Sequence, residues 1–387
     1  MRGYELAIIH EVDKVRLVFS VDLQERGYLS VNKAHIEPLR AKCMLFGNAS
    51  VHRELHFLER SILQMRSFSS WSALRCAAMS VFAAGLVASV AGSLQAEPPT
   101  APALHQVSAE GIRHGIAGFG ADTFIADADG KVLWSDPRNT RDGFVLPNGH
   151  LLLTITKSSE YPGGGAIEVD RAGKMYFEYR GTQSEVNSVQ PVPGGHYVLT
   201  EGGEKPRLLE LDRSGKIVVE FPLQCQNKDF HMETRMARKL KNGHYLVPHL
   251  LDFAVKEYDK TGKVVWEAKT PNWPFSCIRL ATGETYISCT HGNMVVEADK
   301  EGKIIWQVTN DDLPGAPIKD ACGAQLLSNG HLVFTSYGSG GESEPKLTEI
   351  TKDKKIVWQL FTGRNHGLHQ FQILEADGAL PHGNAMR

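Results

Sequence analysis

Over residues 111–387, apolar and polar positions alternate in short runs. Gly, Pro, Asn or Asp breaks the alternation roughly every 10–15 residues. No long 3.6-residue stripe interrupts this pattern, so strands are expected and helices are not. The breaks are of two kinds, and they take turns. One is an Asn-Gly-type turn: "LPNGHLLL" (146–153), "VPGGHYVL" (192–199), "LKNGHYLV" (240–247), "LATGETYI" (280–287), "LSNGHLVF" (327–334) and the weaker "LEADGAL" (374–380). The other is an Asp-x-x-Gly-Lys turn: "ADADGKVLW" (126–134), "EVDRAGKMYF" (168–177), "ELDRSGKIVV" (210–219), "EYDKTGKVVW" (257–266), "EADKEGKIIW" (297–306) and "EITKDKKIVW" (349–358). The glycines at 130, 173, 215, 262 and 302 are 43, 42, 47 and 40 residues apart, and Lys354 takes the glycine's place 52 residues further on.

Each turn flanked by alternating runs reads as a hairpin. Two hairpins per repeat make four strands, here A to D, which is the pattern of a β-propeller blade. The expected fold is therefore all-β: a single β-propeller of six four-stranded blades. The first Gly-Lys hairpin precedes any Asn-Gly hairpin, and the last Asn-Gly-type turn has no Gly-Lys hairpin after it. Joining the chain ends supplies the sixth blade. Strands from about 112–135 pair with one from about 368–375, with strand B of that blade drawn from "GIRHGIAGF" (111–119) or from the chain end. Trp134, Trp266, Trp306 and Trp358 close D strands and are expected to cover neighbouring blades. His150, His196, His244 and His331 sit at A–B turns, where turn packing is the expected role.

Composition changes the picture mainly at the N-terminus. Residues 65–96 carry Arg66 and Arg75, then the small apolar run "CAAMSVFAAGLVASVAG" (76–92), then "SLQAEPP". That order is a secretory signal peptide, too short in its apolar run to favour a membrane span. The chain then divides into 1–64, an over-extended or disordered segment; 65–96, the signal; 97–110, a linker; and 111–387, the propeller. The expected location is periplasmic or extracellular, with no membrane insertion after cleavage. Charge is near balance, with 42 basic and 44 acidic residues, which gives no case for nucleic acid. A monomer binding a small molecule or a protein partner is expected. Export permits disulfides among Cys225, Cys277, Cys289 and Cys322. Cys277 and Cys289 flank one turn and invite pairing across it, buried free thiols being the alternative.

The "D-x-x-T/S-G-K-x-x-W" repeat, clearest in "KEYDKTGKVVWEAK", resembles the docking repeats of pyrroloquinoline-quinone-dependent dehydrogenases and their non-catalytic relatives. Its alternation with "LPNGHLL" resembles bacterial arylsulfotransferase-like propellers more closely. The resemblance implies the fold over about 260 residues. It implies sulfuryl transfer through histidine and arginine at the channel mouth, or a quinone cofactor, although no adjacent cysteine pair is present.

Side chains entering strand A and leaving strand B converge on one mouth of the central channel. The long D–A connections, 220–235, 307–322 and 359–370, lead there. The candidate catalytic residues are His231, Arg235, His366 and His369. The candidate ligand-binding residues are Arg141, Asp142, Asn187, Glu233, His291 and Asp320, with Glu185, Glu201, His249, Asp252, Lys319 and Tyr337 nearby. Arginine grips an oxyanion bidentately, and histidine moves protons or attacks as a nucleophile. No dedicated cofactor or metal site is expected. A divalent metal on His231, Glu233 and His369 and a bound quinone are the cofactor readings that remain open. The primary expectation is ligand or partner binding without turnover. Arylsulfotransferase-like catalysis is the second reading and quinone-dependent oxidation the third.

Overall fold

The computed structural model describes residues 5–12, 15–23, 29–31, 104–121, 123–226, 229–363, 367–378 and 380. The signal-like stretch 65–96 lies outside them, as does His366. The chain forms two compact units, Met1–Pro99 and Thr100–Arg387. In the first unit, β1 (Glu5–Val12), β2 (Val15–Leu23) and β3 (Leu29–Val31) form one antiparallel sheet. Among the described residues, no helix is long and apolar enough to cross a membrane.

The second unit is a six-bladed β-propeller. It begins with β4 (His105–Val107), β5 (Gly115–Gly120), β6 (Thr123–Ala126) and β7 (Val132–Asp136). The first complete blade is β8 (Thr140–Val145), β9 (Leu151–Ile155), β10 (Gly165–Val169) and β11 (Met175–Arg180). The second is β12 (Glu185–Val192), β13 (His196–Gly202), β14 (Arg207–Leu211) and β15 (Ile217–Pro222). The third is β16 (Arg238–Lys239), β17 (Tyr245–His249), β18 (Ala254–Tyr258) and β19 (Val264–Lys269). The fourth is β20 (Pro274–Arg279), β21 (Thr285–Cys289), β22 (Met294–Ala298) and β23 (Ile304–Thr309). The fifth is β24 (Ala324–Leu326), β25 (Leu332–Thr335), β26 (Leu347–Ile350) and β27 (Ile356–Phe361). The chain ends with β28 (Leu368–Leu374), which pairs with β5 in the order β28-β5-β6-β7. The sixth blade is thus closed across the chain termini, and its strand B is β5. Strand β4, in the stretch read as linker, adds a fifth strand to β27.

The Asp-x-x-Gly-Lys turns have a common cause. Asp259 Oδ1 accepts the amides of Thr261 (2.8 Å) and Lys263 (3.1 Å), and Gly262 takes φ 84°. Asp127, Asp170, Asp212 and Asp299 do the same. The carboxylate satisfies two turn amides, and glycine occupies a left-handed conformation that a Cβ disfavours. In the sixth copy, Thr351 replaces the aspartate and Lys354 adopts φ 67° without being glycine.

Blades hold one another through two devices. The tryptophans reach over the next C–D turn: Trp134 Nε1 donates to the Arg171 carbonyl (3.0 Å), and Trp266 Nε1 to that of Lys300 (2.8 Å). Trp358 is fully buried and donates instead to Gln106 Oε1 on β4 (2.8 Å). The second device is a glutamate on strand C. Glu168, Glu210, Glu257 and Glu349 each accept from the histidine of their own A–B turn, His150, His196, His244 and His331, at 2.7–3.0 Å. Most also take a donor from the next blade. Tyr197 donates to Glu168, Tyr245 (2.6 Å) and Lys239 (2.6 Å) to Glu210, and His114 (2.7 Å) to Glu349. Lys352 of the fifth blade does the same for Glu297. The A–B histidines are therefore turn-packing residues, as expected. Their carboxylate partners do not stand out in the sequence.

Of the two alternatives for Cys277 and Cys289, a disulfide across the fourth blade's turn or buried free thiols, the structure has the second. All four described cysteines are free. Cys277 lies opposite Ile287, two residues short of Cys289, because the turn pairs Arg279 with Thr285 and the register runs unbroken from there to Cys277. The two thiols are consequently out of register.

The turns and the clasps each make a measurable difference. A Cβ at Gly215 would meet nothing within 4 Å, whereas one at Gly302 would lie 2.4 Å from the Glu267 carbonyl oxygen. Gly215→Ala should therefore cost about 1 kcal/mol from backbone conformation alone, and Gly302→Ala distinctly more, read as urea-unfolding midpoints. The clasps respond to acid. Burial raises the pKa of Glu168, Glu210 and Glu349, but their hydrogen bonds outweigh it and the net shift is downward. Their stabilising contribution is complete above the unfolded value of about 4.3 and lost as pH falls through the lower folded values. The unfolding midpoint should drop steeply below about pH 4.3, and Glu210→Gln should flatten that drop.

Candidate functional site

The A strands face the channel, and the A–B turns set their register. Counting back five residues from the residue that opens each turn (Leu146, Val192, Leu240, Leu280, Leu327 and Glu375) gives Arg141, Asn187, Arg235, Phe275, Cys322 and Gln370. These six occupy equivalent positions on the six blades. All are buried. Arg141, Asn187 and Arg235 are among the residues expected from sequence. Phe275, Cys322 and Gln370 are not, and the five-residue offset is the signal that finds them.

The polar members are held unequally. Arg141 Nη1 donates to Glu185 Oε2 (2.8 Å) and Asn187 Oδ1 (2.6 Å). Glu185 also accepts from His231 Nδ1 (2.8 Å), whose side chain is 57% exposed. Burial works against ionisation of Glu185, but His231 and Arg141 overcome it and hold its pKa down to about 2. Deeper in the channel Asp142 accepts a two-pronged grip from Arg238, Nη1 to Oδ2 at 2.8 Å and Nη2 to Oδ1 at 3.0 Å. Amides of Val189 and Gly143 complete its shell. This fork links the first and third blades and leaves Asp142 committed to structure.

Arg235 is different. It is 3% exposed, yet among the described residues its guanidinium donates only to the Thr234 carbonyl (2.8 Å) and Met232 Sδ (3.8 Å). No carboxylate lies within ion-pair distance of it among the described residues. Its guanidinium lies 5.5 Å from the Phe275 ring centroid. Burial and the Arg141 charge pull its pKa down to about 9, so it remains a cation at neutral pH. The His369 ring stacks with Phe275 (5.9 Å, 7°) and with Tyr337 (4.4 Å, 28°). Burial, Arg141 and Arg235 push it well below the usual histidine range, against a hydrogen bond to the Thr140 backbone. Cys322 is buried and its thiol pushed up to about 12, so it is not an activated nucleophile.

Several buried polar atoms at this mouth have no hydrogen-bond partner among the described residues: Arg141 Nε, Arg235 Nε, Asn187 Nδ2, Thr234 Oγ1 and His369 Nδ1. Buried polar atoms are ordinarily paired, so these are atoms open to a water or a ligand. A cavity of about 410 Å³ opens at the rim beside Glu185, Asp229, Phe230 and His231. A larger cleft of about 880 Å³ runs by the outer strand of the second blade, past Arg207, Glu220 and Phe221. None of the unpaired atoms named above lies in either lining.

Other expected residues go elsewhere. His291 and Asp320 pair with each other on the rim at 3.5 Å. Glu233 accepts the Gly203 amide (2.9 Å). His231 therefore joins Glu185 rather than Glu233 and His369. Among the described residues no group of three His, Cys, Asp or Glu stands ready to hold a metal. Glu201 is taken up by Tyr179, Thr182 and Arg207. His249 and Asp252 belong to a buried network with Lys256, Tyr258 and Cys225.

No family model and no curated protein matches the chain. Solved structures do. A protein of unknown function from Bacteroides caccae aligns at a TM-score of 0.60 and 21% identity, over 68% of this chain and 99% of that one. A streptogramin B lyase aligns at 0.46 and 17%, over 72% and 90%. An inactive virginiamycin B lyase from Staphylococcus aureus aligns at 0.48 and 15%, over 71% and 96%. At 21% identity the first of these likenesses speaks for the β-propeller fold alone.

Proposed function

We propose that this protein is an exported β-propeller that binds a small anion at the mouth of its central channel. The observation that carries the reading is Arg235, a buried cation without a carboxylate partner among the described residues, standing beside Arg141. An unpaired buried charge is costly, and an anionic ligand supplies the missing counter-charge. Asn187 Nδ2 and Arg141 Nε add unused donors to the same spot. Export rests on the order of residues at 65–96.

The test is thermal unfolding in sulfate against chloride at matched ionic strength. Sulfate should raise the wild-type midpoint in a saturable way, by the amount mass action allows, about 2.7 kcal/mol at a hundred times Kd. Arg235→Met should unfold at a higher temperature without anion and lose the sulfate response. A wild type that responds no more to sulfate than to chloride overturns the reading.

A second reading, sulfuryl transfer, is favoured by one observation: His369 Nδ1 is buried without a hydrogen-bond partner among the described residues, and burial and the charges of Arg141 and Arg235 hold the ring's pKa well below the usual histidine range. The sulfur would leave the aryl oxygen for Nδ1, and the phenolate would depart and take up a proton. Phenol release from an aryl sulfate by the wild type, and its absence in His369→Phe, is the expected outcome. No release by the wild type removes this reading and leaves the first in place.

A further inference from the structure

Met232 gives the mouth a chemical handle, and this step rests on the anion-binding proposal above. The Arg235 guanidinium is buried, and its Nη2 donates to a thioether, Met232 Sδ, at 3.8 Å. Nη1 takes the Thr234 carbonyl (2.8 Å), and Nε has no partner among the described residues. Thioether sulfur is a weak acceptor, so Nη2 gains little from this contact. A second thioether lies close by. Met236 Sδ accepts from Gln370 Nε2 (3.0 Å), but Met236 is fully buried and packs with Phe275 and Cys322. Met232 is half-buried, on the loop between β15 and β16 and next to the exposed His231. Of the two sulfurs, Met232 is the one that a small oxidant in solution reaches.

Oxidation changes the contact with Arg235. Hydrogen peroxide passes one oxygen to the sulfur, the sulfur loses two electrons, and water leaves. The product is methionine sulfoxide, a polar side chain in place of an apolar one. Its oxygen is one bond from a sulfur that already faces Arg235 Nη2. We propose that Met232 is an oxidation site that controls the mouth: as the sulfoxide it gives Arg235 an oxygen acceptor from its own chain, and the anion loses that donor. Both residues lie on the segment that leads into β16, so the change is local and leaves the blades as they are.

Sulfate titrations before and after treatment with hydrogen peroxide test this, with peptide mass spectrometry to locate each added oxygen. Met232 should gain an oxygen and Met236 should not. Met175, 40% exposed on β11, should gain one too and reports oxidation away from the mouth. The oxidised wild type should bind sulfate about tenfold more weakly, the size of one hydrogen bond to a charged group. Methionine sulfoxide reductase should restore the affinity. Met232→Leu has no sulfur to oxidise, so its sulfate affinity, whatever its starting value, should not change with peroxide. Equal sulfate binding before and after oxidation of Met232 overturns the inference and leaves anion binding in place. The same holds if Met175 is oxidised and Met232 is not, or if Met232→Leu still loses affinity in peroxide. Untreated wild type that does not bind sulfate overturns both proposals.

Discussion

The strand-C glutamate is the interaction on which the ring depends. A blade buries its faces against two neighbours, and apolar packing alone sets no register between them. Glu168, Glu210 and Glu349 fix that register by holding a histidine of their own blade and a hydroxyl, ammonium or imidazole of the next. Each carboxylate is buried, so each must be paired, and its full set of partners exists only when the adjacent blade is correctly seated. Repetition of this clasp on five of the six blades ties successive sheets into one frame.

The frame explains why the mouth can carry strain. Arg238 and Asp142 neutralise each other inside the channel, and Glu185 is balanced by Arg141 and His231. Arg235 is surrounded by backbone, sulfur and an aromatic face instead. A single buried cation of this kind is tolerated because the strands beside it are anchored by clasps elsewhere in their blades. The stability of the ring supports a site whose polar groups are not satisfied by the protein itself.

The fold was legible because the propeller repeats. Two alternating turn signals, each with a local physical cause, fixed strand number, blade number and the closure of the sixth blade by 368–374 on 115–120. The site was legible only in part. Arg141 and Arg235 stood out as charged residues ahead of A–B turns. Phe275 and Cys322 did not, because an apolar residue in a strand reads as core until its register is known. The clasp glutamates were hidden for a related reason. Each lies two residues before a conspicuous turn aspartate, or before Thr351 in the last copy, and was absorbed into the turn motif. The possible disulfide failed on the register of the turn, which pairs Cys277 with Ile287 and which spacing alone does not reveal.

Gln106, on the short extra strand β4, has a consequence of its own. Its amide bonds the carbonyls of His114 and Ala128, and its oxygen accepts from Trp358 and the His114 amide. One side chain thus ties the fifth blade to the sixth, and its bond to Trp358 joins residues 252 positions apart in the chain. Such a contact cannot form until Trp358 has been synthesised, and pairing of the closing strand Leu368–Leu374 comes later still, so both loop closures fall at the end of assembly. Ring closure is therefore a late, long-range event. Until it happens, the β5–β7 strands remain a three-stranded fragment with an open inner edge, waiting for the last strand of the chain.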